Sequence, residues 1–368
     1  MIRELKSRSL RIPFKQSFKH ASAQRDTTQT LWVEAVAESG IRGFGEGCPR
    51  EYVTGESVES ALAFIRSVES DIRQLNTLDA LRAWTQAHRH QIDASPAAWC
   101  AIELAVLDVL ARAAGQSVEA LLALPPIAGP FHYSAVLGAA APAVFEPQLR
   151  RYLEMGFRDF KVKLSGTQAD MERVALLKQA APVIKSLRFD ANNLWTNSAD
   201  AIAHLQHLDV PFFAIEEPLM PGDYTALARI ATALELKIIL DESLLRIEQL
   251  DHLAANPELW IVNLRVSKMG GLLRSLAVAN RAAALGIPLI IGCQVGETSL
   301  LTRAALSVAQ SHAGNGLLAQ EGAFGTLLLA RDVVDPPLMF GHGGQLDVTA
   351  FAFGTAAGFG LEPAIAPG

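Results

Sequence analysis

The stretch SLRFDANN, residues 186–193, is a short apolar run followed by a carboxylate, and its pattern decides the fold. The same pattern recurs in FFAIEEP (212–218), which carries Glu216, and in KIILDES (237–243), which carries Asp241. The three acidic residues follow one another at intervals of 26 and 25 residues. A period of this length accommodates one strand, one helix and two turns, so the chain is predicted to repeat a β–α unit.

Similar apolar segments continue this rhythm on both sides of the three acidic ones. The further segments are FHYSAVLG (131–138), FRDFKVKLS (157–165), WIVNLRVSK (260–268), PLIIGCQ (288–294) and GLLAQEG (316–322). Parallel strands need a crossover helix between neighbours, and eight such units close into a barrel. We therefore predict an α/β fold, with a (β/α)8-type barrel over residues 126–330 that carries the catalytic groups.

The residues before and after the barrel have a different pattern. Residues 1–60 alternate like antiparallel strands, and the pattern becomes helical from about 57 to 122, with a strongly apolar helix at 94–115. We predict an α+β capping domain over residues 1–125. The glycine-rich residues 331–368 are predicted to pack back on this cap.

The composition is that of a globular protein. Half of the 368 residues are hydrophobic and 19% are charged, which suffices for a large core. The net charge is −6, from 32 basic and 38 acidic residues, without a basic tract, so we expect no nucleic-acid partner. No apolar run approaches the ~20 residues of a membrane-spanning helix, and the N-terminus lacks a signal-peptide core. The three cysteines are scattered, so we expect a cytoplasmic protein without disulfides or membrane contact.

Three successive predicted strands end in carboxylates, which are Asp190, Glu216 and Asp241. Adjacent strands lie about 4.8 Å apart, and barrels of this kind keep their catalytic groups at the carboxyl ends of the strands. Three such carboxylates would repel one another without a cation. Oxygen ligands favour a hard ion, so we predict a Mg²⁺ site that Mn²⁺ could also fill. The alternative is that each carboxylate caps the helix that follows it.

Lysines flank the three acids in the order of the strands. Lys161 and Lys163 come one strand before the acids, and Lys268 comes one strand after them. We predict that the lysines of the two strands face each other across the metal ion. The charges of Lys161 and of the metal would favour the neutral form of Lys163, which would then act as a base. A metal ion on a substrate carboxylate would stabilise the enediolate left after removal of the α-proton.

Five motifs, FKVKLSG, FDANNLWT, AIEEP, LDES and RVSKMGG, resemble in order and spacing those of the enolase superfamily, in its muconate-lactonizing enzyme subgroup. The resemblance covers nearly the whole chain and implies a modified TIM barrel with an α+β cap. It implies that Asp190, Glu216 and Asp241 are the Mg²⁺ ligands, with Glu216 preferred over Glu217. It also implies a homo-oligomer, a dimer or an octamer.

The same resemblance assigns roles to the other residues of the predicted site. Lys163 and Lys268 would be the paired acid/base groups. Lys161 would tune Lys163 and contact the substrate carboxylate. Asn192 matches a position that supports the metal shell.

Members of this subgroup use the same two lysines for different reactions. Lysines on opposite faces of an α-carbon suit 1,1-proton transfer, as in dipeptide epimerases and N-acylamino acid racemases. Our leading interpretation is racemisation or epimerisation of an amino-acid derivative, a dipeptide or an N-acyl amino acid. The alternative is a muconate-type cycloisomerase or an o-succinylbenzoate synthase-type syn-dehydratase that uses the same residues.

Loops outside the barrel core are expected to select the substrate. The cap loop CPREYVTGES (48–57) is similar to that of dipeptide epimerases, although a tight turn and a helix cap explain it equally well. The loop at 14–25 offers Lys15, Lys19 and Arg25 to a second substrate carboxylate. The predicted substrate-binding residues are Arg25, Arg50, Gln294, Glu297 and Glu321.

The stretch after the last predicted strand departs from the dipeptide epimerase pattern. Dipeptide epimerases carry an Asp-x-Asp pair there, which holds the ammonium of the substrate. This chain has Gln320 and Glu321 there, in AQEGAFGTLLL (319–329). After the seventh predicted strand, GCQVGETSL (292–300) has one residue more than the family pattern. The departure leaves an N-blocked amino acid or a carboxylate without an amino group as open alternatives.

Two readings from other classes explain less of the sequence. A Schiff-base barrel would use one buried lysine as an electrophile trap, but it leaves three converging acids unexplained. A binding barrel without catalytic activity would need an incomplete set of site residues, and here all five core positions are filled.

Overall fold

The computed structural model describes residues 1–20 and 23–364, and for residues 16–20 and 23–24 it describes the backbone alone. The first part of the chain forms a cap of strands and helices. Its strands are β1 (Ile2–Leu10), β2 (Pro13–His20), β3 (Ala23–Thr27), β4 (Thr30–Ala37) and β5 (Arg42–Gly47). Its helices are α1 (Glu51–Thr54), α2 (Val58–Ile72), α3 (Leu78–Ala87), α4 (Arg89–Ala94), α5 (Pro96–Ala113) and α6 (Val118–Leu122).

The core of the cap lies between helix α5 and an antiparallel sheet. Strands β1, β4 and β5 form this sheet in the order β1-β4-β5, and β2 pairs with β3 in a hairpin. Strand β5, RGFGEG, places alternate glycines against α5. A Cβ atom on Gly45 would lie 2.0 Å from the carbonyl oxygen of Ala101, so only glycine permits this close approach.

The second part of the chain alternates strands with helices. Its strands are β6 (Phe131–His132), β7 (Ala135–Leu137), β8 (Asp159–Lys163), β9 (Ser186–Asp190), β10 (Ala214–Glu216), β11 (Lys237–Leu240), β12 (Trp260–Leu264), β13 (Leu289–Ile291), β14 (Leu317–Gln320) and β15 (Gln345–Leu346). Its α-helices are α7 (Pro142–Glu154), α8 (Ala169–Ala180), α9 (Ser198–Leu205), α10 (Tyr224–Leu234), α11 (Val266–Met269), α12 (Leu272–Ala284) and α13 (Ser299–Ser311). Short 3₁₀ turns span Ile247–His252, Pro257–Leu259, Gly325–Leu327 and His342–Gly344.

Strands β7 to β14 form one curled parallel sheet of eight strands in chain order. A backbone hydrogen bond of 2.8 Å from the N–H of Ser134 to the carbonyl of Gln320 joins the first strand to the last. Inside the curled sheet, five consecutive strands each contribute one residue to a separate apolar cluster. These residues are Ala214, Ile239, Ile261, Ile290 and Ala319. The predicted fold class is confirmed, because the repeats indicated this sheet and the alternating pattern of residues 1–60 indicated the strand-rich cap.

The register of the sheet brings the strand ends to one level. Lys163 is opposite Asp190, Asp190 is opposite Glu216, and Glu216 is opposite Ile239. Alternate residues of a strand point to the same face, so Asp241, two residues after Ile239, points to the same face as Ile239. Three carboxylates and a lysine therefore lie on the inner face at one end of the barrel.

One segment differs from the predicted strands. The stretch 260–268 was expected to run as a strand to Lys268, but β12 ends at Leu264 and the short helix α11 follows. Gly270, in the left-handed conformation with φ 81°, ends that helix. Lys268 is therefore a helical residue beyond the strand, and Arg265 is the residue at the strand end.

The last described residues return to the cap. The N–H of Val118 donates to the carbonyl of Gly358, and the N–H of Phe359 donates to Asp108. The guanidinium of Arg112 contacts Glu362 at 2.6 Å. In the described part of the chain, no helix is both long and apolar enough to cross a membrane.

Candidate active site

Lys161 lies at the centre of the inner face and contacts three carboxylates. Its Nζ atom is 3.2 Å from Asp190 Oδ2, 2.8 Å from Glu216 Oε2 and 3.0 Å from Glu321 Oε2. Burial disfavours the ammonium, but the three carboxylates outweigh this effect and raise the pKa of Lys161 well above its usual value. Lys161 is therefore a fixed positive charge at the floor of the site.

Lys163 lies on the same face, two residues closer to the open end of the barrel. Its Nζ atom is 3.2 Å from Asp190 Oδ2 and donates a 2.6 Å hydrogen bond to Asn192 Oδ1. The side chain is 12% exposed, whereas that of Lys161 is 3% exposed. Of the two, Lys163 is the more exposed lysine.

The three predicted metal ligands come together at this end of the barrel, and all are buried. Burial raises the pKa of Glu216 to about 8, while Lys161 works in the opposite direction. Burial also disfavours the charge of Asp190, but Lys161 and Lys163 outweigh it and lower its pKa. Asp241 accepts from Lys268 through Oδ1, at 2.9 Å, and from Arg265 through Oδ2.

Glu217 points away from the carboxylate cluster. Its Oε1 atom accepts hydrogen bonds from the N–H groups of Asp241 at 2.6 Å and Ser243 at 2.7 Å, and its Oε2 atom accepts from the Ser243 hydroxyl at 2.8 Å. These bonds hold the loop after β11. Of the two adjacent glutamates, Glu216 is the one that lies in the cluster.

Arg265 is a site residue that our sequence analysis missed. One guanidinium nitrogen contacts Asp241 Oδ2 and lies 3.7 Å from Glu216 Oε1, and another donates to Gln294 Oε1 at 3.1 Å. Strand alternation indicates the same orientation for Arg265, because Ile261, four positions earlier on the strand, points into the barrel.

Lys268 does not lie at the rim where the sequence analysis placed it. Its side chain is fully buried in α11, and its Nζ atom has three acceptors. These are the carbonyl of Asp241 at 2.7 Å, Asp241 Oδ1 at 2.9 Å and the carbonyl of Asn263 at 2.9 Å. An ammonium has three N–H groups, so each has an acceptor within the protein.

Arg188 is a second residue that the sequence analysis did not single out. It is fully buried on β9 and contacts Glu321 Oε1 at 2.8 Å and Asp159 Oδ1 at 2.9 Å. It also donates to the Ser134 hydroxyl at 2.8 Å. Glu321 is thus held between Arg188 and Lys161, and the two cations lower its pKa although burial acts against them.

The predicted substrate-binding residues divide into two groups. Gln294 and Glu321 lie beside the carboxylate cluster, where Gln294 contacts Arg265 and Glu321 contacts Lys161. Glu297 accepts a 2.6 Å hydrogen bond from the N–H of Gln294 and so shapes that loop.

The other two candidates belong to the cap. Arg50 is buried and donates to the carbonyls of Gln29, Pro49 and Val295, so its contacts are with backbone. Arg25 donates to the Gln29 side chain and lies over the Tyr52 ring, 5.8 Å from its centroid. The side chain of Lys19 lies outside the described residues.

The three carboxylates of the acidic cluster are paired with cationic side chains. Among the described residues, no three Asp, Glu, His or Cys side chains surround one point closely enough to bind a metal. Lys161 and Arg265 each contact two of the three predicted ligands. Asp190 Oδ2 and Glu216 Oε2 are nevertheless buried and accept no hydrogen bond, although both lie close to the Lys161 ammonium. Carboxylate oxygens are the ligands that Mg²⁺ prefers in proteins, so the chemistry of these residues fits the ion.

Comparison with known proteins relates both parts of the chain to one family. Residues 2–123 match the family model of the mandelate racemase/muconate lactonizing enzyme N-terminal domain. Residues 145–364 match the model described as enolase C-terminal domain-like. Together the two matches cover most of the chain.

Individual relatives are isomerases. A hydrophobic dipeptide epimerase of Enterococcus faecalis is 27% identical over 314 residues, which are 84% of this chain and 86% of that protein. An N-succinyl-L-Arg/Lys racemase of Bacillus cereus is 26% identical over 82% of each chain. A crystal structure of an E. faecalis dipeptide epimerase complexed with Mg and the dipeptide L-Leu-L-Tyr matches with a TM-score of 0.84 at 25% identity. That match covers 98% of this chain and 99% of that chain.

Proposed function

The chain belongs to the mandelate racemase/muconate lactonizing enzyme family of the enolase superfamily, and from this premise we propose that it is a Mg²⁺-dependent isomerase that removes the α-proton of a carboxylate substrate. Lys163 is the base. The observation that carries this proposal is the pairing of two adjacent lysines, of which Lys161 is held by three carboxylates while Lys163 is accessible.

The two lysines have different tasks in this proposal. Lys161 stays charged at the floor of the site, where it offsets part of the negative charge of the three carboxylates. Lys163 in its neutral form accepts the α-proton, and the hydrogen bond to Asn192 orients its amino group. Racemisation is complete when a proton returns to the opposite face of the α-carbon.

Asp190, Glu216 and Asp241 are the residues that would hold Mg²⁺. When bound, the ion supplies positive charge that stabilises the enediolate form of the substrate. Asn263 donates a 3.1 Å hydrogen bond to Glu216 Oε1 and so fixes the orientation of that carboxylate.

The proposed reaction is racemisation or epimerisation of an amino-acid derivative, a dipeptide or an N-acyl amino acid. The support is that the relatives named above are a dipeptide epimerase and an N-succinyl amino acid racemase. Glu321, the carboxylate after the last barrel strand, is neutralised by Lys161 and Arg188. It is therefore a poor partner for a free substrate ammonium, which favours an N-blocked substrate over a free dipeptide.

A second candidate is cycloisomerisation or syn-dehydration of a carboxylate, which needs one acid/base group and one fixed charge. The specific observation in its favour is Arg265, because a guanidinium lies at the end of β12 where we expected a second catalytic lysine.

Proton NMR in D₂O tests the proposed function. The protein is loaded with Mg²⁺ and incubated with a pool of dipeptides, N-succinyl amino acids and N-acetyl amino acids. We expect the α-proton signal of at least one member to disappear while its carbon skeleton stays intact. Absence of exchange throughout the pool, with folded and Mg²⁺-loaded protein, would refute the amino-acid assignment. Muconate-type or hydroxyacid substrates would then be added, and NMR signals of a new carbon skeleton would support the second candidate.

A further inference from the structure

We infer that Arg265, and not Lys268, is the cation that faces the substrate opposite Lys163, so that proton transfer at the α-carbon is faster on the Lys163 face than on the opposite face. This inference rests on the proposed function and deepens it, because it assigns the stereochemical course of the reaction to one residue.

The sheet topology places Arg265 opposite Lys163. Lys163 ends β8, the second strand of the curled sheet, and Arg265 follows directly on β12, the sixth. Strands four positions apart in a ring of eight lie across from each other. The hydrogen bond from the N–H of Ser134 to the carbonyl of Gln320 brings the first and last strands together, so the eight strands can be treated as a closed ring.

Arg265 also points into the site. It shares its face of the strand with Asn263 and Ile261, since the three residues are two positions apart. Its guanidinium lies against Asp241 and Gln294, and the side chain is 11% exposed, close to the 12% of Lys163. Two cationic side chains of similar accessibility thus face each other across the acids.

Lys268 neither lies at the end of a strand opposite Lys163 nor exposes its side chain to the site. It is three residues beyond Arg265 in a helical turn, its side chain is fully buried, and its ammonium has three protein acceptors. To take part in proton transfer it would have to leave two backbone carbonyls and Asp241 without their donor, which is costly in a buried site.

The chemistry of the two cations differs. A lysine amine gains or loses a proton, whereas the guanidinium of arginine stays protonated in proteins and offers a planar array of donors. Arg265 is therefore suited to bind an anionic group of the substrate, and it is a poor proton donor to carbon.

The proton balance follows from this difference. Neutral Lys163 takes the α-proton and becomes an ammonium, while the electron pair of the C–H bond moves into the enediolate. The ammonium can exchange its protons with solvent and return one to the same face of the carbon. Inversion requires a proton on the opposite face, where Arg265 lies. We therefore expect exchange with retention to outrun inversion.

The placement of the lysines is tested first, by a measurement that needs no substrate. The Mg²⁺-loaded protein is treated with a low concentration of acetic anhydride, and modified lysines are quantified by mass spectrometry. We expect Lys163 to be acetylated at least ~10-fold faster than Lys268, with exposed Lys178 as the reference for an unprotected amine. Equal rates for Lys163 and Lys268 in the folded protein would overturn the inference.

The stereochemical course is tested with each enantiomer of the substrate found by NMR. In D₂O, we expect one enantiomer to exchange its α-proton at least ~10²-fold faster than it inverts, and the other enantiomer to exchange slowly. Arg265→Lys is expected to raise the ratio of inversion to exchange at least ~10-fold, because it supplies an amine on the second face. Fast exchange of both enantiomers by the unmodified protein would overturn the inference while leaving the proposed function intact.

A variant of Lys268 separates a structural role from a catalytic one. Lys268→Gln is expected to lower the exchange rates of both enantiomers by the same factor, because Lys268 acts only through Asp241. Selective loss of exchange for one enantiomer would show that Lys268 is the base of the second face. Failure of any substrate to exchange would instead count against the proposed function, and the acetylation rates would still decide the placement.

Discussion

Lys163 Nζ lies 3.2 Å from Asp190 Oδ2, the same oxygen atom that Lys161 Nζ approaches at 3.2 Å. One carboxylate oxygen thus contacts the amino groups of two lysines on adjacent positions of the inner face. The carboxylate of Asp190 therefore offsets the repulsion that Lys161 and Lys163 would exert on each other whenever both are protonated.

Removal of the proposed base should abolish turnover without unfolding the protein. Lys163→Ala is expected to lose at least ~10²-fold in the exchange rate, as removals of general acid/base groups do. The measurement is α-proton exchange by NMR, with circular dichroism to verify the fold. Lys178→Ala, at an exposed lysine on α8, is the control. A Lys163→Ala protein that exchanges at the normal rate would exclude Lys163 as the base.

Loss of one carboxylate should weaken metal binding. Asp241→Asn removes a negative charge from the proposed ligands, and we expect at least ~10-fold weaker Mg²⁺ binding by isothermal titration calorimetry. Activity should fall with it. The matched control is Asp209→Asn, at an exposed aspartate that pairs with Lys178. Unchanged Mg²⁺ affinity would mean that Asp241 only accepts hydrogen bonds from Arg265 and Lys268.

Glu46 should make the stability of the protein depend on pH. This fully buried carboxyl of the cap accepts hydrogen bonds from the N–H and hydroxyl of Thr298 at the start of helix α13, and burial raises its pKa to about 8. Between pH 4.5 and 8 the folded protein holds a proton that the unfolded chain releases. The free energy of unfolding should therefore fall as the pH rises through this range, by an amount on the order of a few kcal/mol.

Urea denaturation at pH 5, 6.5 and 8 measures this contribution. Glu46→Gln keeps an acceptor for Thr298 but cannot ionise, so its unfolding free energy should decline less between pH 5 and 8. Glu38→Gln, at an exposed glutamate of the same cap, serves as the control and should follow the unmodified protein. Identical slopes for Glu46→Gln and the unmodified protein would show that Glu46 is not the source.

A single methyl group should disturb the packing of the cap. A Cβ atom on Gly45 would overlap the carbonyl oxygen of Ala101 in α5, which is backbone and cannot turn aside. We expect Gly45→Ala to lower the free energy of unfolding by about 1–3 kcal/mol or more, as overpacking does. Gly354→Ala, where a Cβ would meet no atom within 4 Å, should change it little. Urea denaturation of both variants measures the difference, and equal stabilities would contradict the close packing of α5 on β5.

Much of the barrel could be predicted because each of its strands is short, apolar and followed by a polar residue. The acids of β9 and β10 were found in this way, and their register with Lys163 follows from the parallel pairing. The same reasoning failed at β12. A strand and a helical turn share the run 260–268, and the apolar pattern does not mark the boundary between them.

The roles of Arg265 and Lys268, three positions apart, therefore depended on the backbone. Had the strand continued, their odd spacing of three would have put them on opposite faces. The helical turn instead buries Lys268 against two carbonyls and Asp241 and leaves Arg265 at the strand end. Both residues are basic, so residue type alone could not distinguish them.

The sequence by itself determined the repeated β–α unit and the order of Lys163, Asp190 and Glu216 at successive strand ends, because strand alternation and crossover helices are local properties. Only the tertiary structure decided which charges meet. Glu321 contacts Lys161 across 160 residues of sequence, and Arg50 of the cap reaches the carbonyl of Val295 in the barrel. Such contacts depend on the closure of the sheet and on the docking of the cap, which bring together groups that no local pattern relates.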